Sequence, residues 1–136
     1  LEQSDESAIR GFHQHWMAEL FQQKKLEEEK SMLFPPTPVP GNESIQFISN
    51  GEDLYSEGEK MHHSVALYIR SAARGEALFY RVLAPERMTL RLFYGNQGKW
   101  KIGEMSGVCN RPPSRDTTAA VREWLQNAQS AHGVYR

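Results

Sequence analysis

The chain has 136 residues, 39% hydrophobic and 24% charged, the make-up of one globular domain with at most an appendage; a wholly disordered chain is excluded. Its single cysteine, Cys109, excludes an intrachain disulfide and a cysteine-based zinc cluster, and suits a reducing compartment. No apolar run nears the ~18 residues that mark a membrane-crossing helix. The net charge of −1 is unevenly spread: residues 1–34 sum to −3, residues 35–60 to −4 and residues 61–136 to +6. The basic half either neutralises the acidic half in the fold or favours an acidic partner, and is too weakly charged for a nucleic-acid-binding tail. Leu1 rather than Met opens the chain, so an upstream segment is expected, with any acylation site on it.

Residues 1–34 form the first unit, with a helix predicted over 5–31. Ile9, Phe12, Trp16 and Leu20 recur at helical spacing, and Asp5 and Glu6 suit a positively polarised N-terminus. Beyond Phe21 the segment from Gln22 to Lys30 is polar nearly all round. The apolar stripe must pack on something. Its own domain is the usual cover for such a helix; a second copy or a different protein are the alternatives.

Residues 35–43 hold four of the seven prolines and read as a stiff, extended linker, because proline lacks the N–H that helices and inner strands use. Pro35 and Pro38 make a PxxP spacing, a weak signal on its own.

From residue 44 the period becomes two. A short strand starts at Ile45, Asn50-Gly51 marks a turn, and the acidic stretch 52–60 reads as a loop. Alternation then predicts strands over 64–69, 77–83, 89–94 and 99–104, an antiparallel meander whose outward faces carry Arg70, Arg81 and Arg91. Tyr94 and Trp100 fall on the apolar face, which makes them core residues and not base-stacking platforms. Pro112-Pro113 ends the strand pattern. A last helix over 116–132 presents Ala120, Val121, Trp124, Leu125 and Ala128 to the sheet.

This order of elements resembles a pleckstrin-homology-like domain. The resemblance is carried by the four strand runs and by the final helix with its core-facing Trp124. It implies a mainly β (α+β) fold over 44–136: a bent antiparallel sheet or barrel capped by a C-terminal helix. More narrowly, an acidic amphipathic helix, a proline linker and such a domain are together similar to the inner membrane complex sub-compartment proteins of apicomplexan parasites. That likeness implies a lipid-anchored scaffold in a cytoplasmic, peripheral-membrane position on a cytoskeletal assembly. The chain carries neither the N-terminal glycine nor the nearby cysteines that such anchoring uses.

The chemistry of the residues points away from catalysis. Phosphoinositide sites need several cationic donors on the first loop, whereas residues 50–60 place four carboxylates against Lys60. His13 and His15 lie on different helical faces and His62 and His63 are adjacent, neither a metal-ligand spacing. Cys109 has no base nominated by the sequence. Asn42-Glu43-Ser44 fits a glycosylation sequon that matters only after secretion. The expectation is therefore a non-enzymatic protein-interaction module without cofactor, metal or nucleic acid. Its contacts are Ile9, Phe12, Trp16 and Leu20 on the helix and Arg70, Arg81 and Arg91 on the sheet. Peripheral lipid binding by the basic sheet face is the alternative. A deep cavity converging on His62, His63 or Cys109 would instead favour an enzyme or ligand carrier.

Overall fold

The computed structural model describes the backbone of residues 2–131 and the side chains of residues 14–130. Helix α1 (Glu2–Lys30) is followed by strand β1 (Ile45–Phe47), helices α2 (Gly51–Met61) and α3 (Ile69–Ala73), strands β2 (Ala77–Val82), β3 (Met88–Tyr94) and β4 (Trp100–Ser106), and helix α4 (Arg115–Ala131). Short 3₁₀ turns, Val65–Tyr68 and Val108–Asn110, precede α3 and α4. The four strands form one antiparallel sheet in the order β1-β2-β3-β4. Helix outweighs strand, so the class is α+β and not mainly β.

Both sheet faces are covered. On one, Val121 and Leu125 of α4 pack against Leu78, Tyr80, Val82, Leu90 and Leu92. Trp124 joins them half-buried, its ring edge-on to Tyr80 at 5.1 Å. On the other, Leu54, Val65, Ile69 and Ala72 pack against Ala77 and Phe79. Three layers result, with β2 buried along nearly its whole length.

The second layer corrects three expectations. Residues 52–60 are helix α2 and not a loop. Asn50 caps the helix by accepting the Asp53 N–H at 2.8 Å, Glu52 and Asp53 sit at its positive end, and His62 closes it with a left-handed φ of 52°. The stretch 64–69 is a 3₁₀ turn running into α3 and not a strand. Val65, Ile69 and Ala72 turn inward at helical spacing while Leu67 is 80% exposed. Arg70 therefore lies on α3, and Arg81 and Arg91 face the helical layer instead of open solvent.

The proline segment is extended but packs closely. Val39 is fully buried in the α4-side core, and the Tyr80 hydroxyl donates to its carbonyl at 2.5 Å. The same hydroxyl oxygen lies 2.6 Å from Thr37 Oγ1. Burial pushes the Tyr80 phenol well above its ordinary pKa. The C-terminal end of α1 meets the body: Arg70 approaches Glu29 at 3.6 Å and Lys30 lies over the Tyr55 ring.

Candidate functional site

Two features stand out, a buried polar chain with a cavity beside it and the half-exposed apolar face of α1. The chain begins at Glu57, a carboxylate only 1% exposed on the sheet-facing side of α2. Burying a carboxylate is costly unless charge and hydrogen bonds compensate. Both do so here, since Arg87 and the Thr89 hydroxyl donate to it from the start of β3. Thr89 Oγ1 in turn lies 2.8 Å from His63 Nε2, and the Val65 N–H reaches His63 Nδ1 at 3.4 Å. One consistent proton assignment follows. Thr89 spends its only proton on Glu57, so it accepts from Nε2–H, and Nδ1 accepts from Val65. Neither ring nitrogen is left free to act as a base.

A half-open cavity of about 60 Å³ lies against this chain, walled by His63 and Thr89 with an apolar side of Val65, Tyr68 and Phe79. Ser64, Arg91, Glu104, Ser106 and Asn110 complete it. These five side chains make no hydrogen bond or ion pair among the described residues, although the Arg91 guanidinium lies over the Tyr68 ring at 5.4 Å. The ladder between β3 and β4 is irregular here: Arg91 pairs with Glu104, Leu92 pairs with Ile102, and Gly103 is skipped. Three non-glycine residues with left-handed backbone, His62, Cys109 and Asn110, lie in the two segments that meet at the cavity. Cys109 is exposed beside it, and among the described residues no cluster fits a metal ion.

The residues singled out from the sequence do not form one surface. Trp16 and Leu20 are 51% and 41% exposed on α1. Ile9 and Phe12 fall on the same helix, and their side chains lie outside the described residues. Met17 and Phe21, which the spacing argument passed over, are exposed beside Trp16 and Leu20. Arg70 engages Glu29, Arg91 lines the cavity, and Arg81 stands half-buried on β2 with its Nε unpaired. Trp100 is a core residue as expected, whereas Tyr94 is 57% exposed at the end of β3 and meets Trp100 edge-on. Arg87, Thr89 and Glu57 carried no sequence signal that joins them to His63.

Compared with known proteins, the chain matches no family model, no curated protein and no solved structure. No helix among the described residues is long and apolar enough to cross a membrane.

Proposed function

We propose that the chain is a non-catalytic protein-interaction module that works through the half-exposed apolar face of α1. The observation that carries this reading is the exposure of Trp16, Met17, Leu20 and Phe21 side by side on a helix whose other end is anchored. Burying the exposed half of these four side chains yields about 3–6 kcal/mol, at or below the cost of association, so the contact is a weak or regulated one. The commitment of both His63 nitrogens is in keeping with a binding role.

A second copy of the chain is the partner that the charges on α1 favour. In an antiparallel register centred on His15, sequence positions 5 and 6, both acidic, fall opposite Lys25 and Lys24, against one like-charged pairing of positions 2 and 28. The sequence likeness to inner membrane complex sub-compartment proteins supports scaffolding at a membrane-associated cytoskeletal assembly as its task. Light scattering on the full chain tests the reading. Concentration-dependent dimers that Trp16→Ala and Phe21→Ala abolish are expected. A monomer that retains no partner in pull-downs, or partners that both substitutions leave bound, overturns it. Vesicles bearing phosphoinositides are expected to show no headgroup-selective association.

A further inference from the structure

We propose that the cavity beside His63 binds the head group of a zwitterionic α-amino acid, its carboxylate on Arg91 and its ammonium on Glu104. The inference stands apart from the role of α1, because it rests on a different part of the molecule.

Size sets the first limit. A cavity of about 60 Å³ is well below the ~150 Å³ that encloses a benzene ring, so it holds a few heavy atoms and no aromatic ring or nucleobase. The rest of any ligand leaves through the open side.

Charge sets the second limit. Arg91 and Glu104 are directly opposite across β3 and β4, yet they do not form an ion pair. The guanidinium lies instead over Tyr68 and the bare backbone of Gly103, where a side-chain carbon would come within 3.3 Å of Nη2. Arg91 Nε is buried with no acceptor, a condition that a folded protein seldom leaves uncompensated. A simple anion would satisfy Arg91 but meet the Glu104 carboxylate, and a simple cation would meet the reverse conflict. A ligand carrying both charges on one carbon satisfies both groups, each through charge-assisted hydrogen bonds.

The surroundings suit that task. Ser64 and Ser106 offer hydroxyls and Asn110 an amide to the remaining lone pairs and protons of the head group. The wall behind is already rigid, since Thr89 and His63 are tied to Glu57. The left-handed backbone at Asn110, φ 64°, is of the kind that persists where a ligand contact needs it.

The test is an NMR titration of the full chain with glycine, L-alanine and L-leucine, alongside N-acetylglycine, which lacks the ammonium, and glycinamide, which lacks the carboxylate. Saturable shifts of the Ser64, Arg91, Glu104 and Asn110 amides are expected with the three amino acids. The two derivatives should bind at least about tenfold more weakly. Arg91→Gln should remove binding. Glu104→Gln, at an exposed position that leaves the fold intact, should erase the preference for glycine over N-acetylglycine. Absence of saturable shifts at these amides, equal binding of the derivatives, or unchanged affinity in Glu104→Gln would each overturn the assignment.

Discussion

The two faces of the sheet solve the problem of burial differently. Under α4 the contact is apolar from Leu78 to Leu92, with the Tyr80 hydroxyl engaged by the proline segment and Gln129 bonded to the Trp100 backbone. Under α2 and α3 a small apolar patch around Phe79 gives way to Glu57, Thr89, His63 and the arginines Arg81, Arg87 and Arg91. The first arrangement stabilises through area removed from water, which tolerates small shifts in geometry. The second depends on the matched run from Arg87 and Glu57 through Thr89 to His63, and it is also the one that leaves other polar groups unspent around a cavity.

Substitutions on the two faces sharpen this contrast, and urea unfolding reads all of them. The largest loss is expected for Glu57→Ala, about 3–5 kcal/mol, because Arg87 and Thr89 would be stranded in the interior. Should it cost less than 1 kcal/mol, the polar chain is not integral to the fold. Leu92→Ala, on the dry face, is expected to cost about 2–5 kcal/mol through lost transfer energy and the cavity left behind. Its effect should be independent of pH. Tyr80→Phe removes two hydrogen bonds but leaves Thr37 and the Val39 carbonyl bonded to each other at 3.0 Å, and is expected to cost about 0.5–1.5 kcal/mol.

The smallest effect is expected at Glu86, and it depends on pH. The Ser114 N–H donates to Glu86 at 2.6 Å and the Thr117 hydroxyl at 2.7 Å, tying the β2–β3 loop to the start of α4. The backbone bond from Ser114 first, and then the Thr117 hydroxyl, hold this carboxyl below its ordinary range. A carboxyl whose pKa is depressed by folding adds stability above its unfolded value and loses it as pH falls through its folded value. Glu86→Gln should therefore lower the melting temperature at pH 7, with the gap to the parent closing as the pH falls below the ordinary carboxylate range. A gap that persists in acid would assign the effect to packing.

Periodicity carried the reading where one rule governed many residues. Strands β2 to β4 and helix α4 lie close to their predicted spans because alternation, or a stripe such as Val121, Leu125 and Ala128, runs without interruption. Helix α2 escaped because its buried positions are Gly51, Leu54, Glu57, Gly58 and Met61, of which three of five are acidic or lack a side chain. Val65, Leu67 and Ile69 fit a strand by alternation, yet Val65, Ile69 and Ala72 also fit a helix, and packing on Phe79 selects the latter. Alternation assigns Arg81 and Arg91 to one face of the sheet but is silent on what covers that face. The cavity was less accessible still, for His63 reaches Thr89 across 26 positions and Thr89 reaches Glu57 across 32, and no local pattern spans such gaps.

The junction between α1 and α2 has a mechanical consequence. Gly51 stands so close to the Glu29 carbonyl that a methyl group there would overlap it at 1.9 Å, and the Leu33–Asn50 bridge and the Phe34–Ser49 hydrogen bond clamp the chain on either side. The long helix thus leaves the body like a mast stepped into a socket. A load on the exposed side chains near its middle meets the body first at this backbone contact, where Gly51 places no side chain between the two helices to soften it.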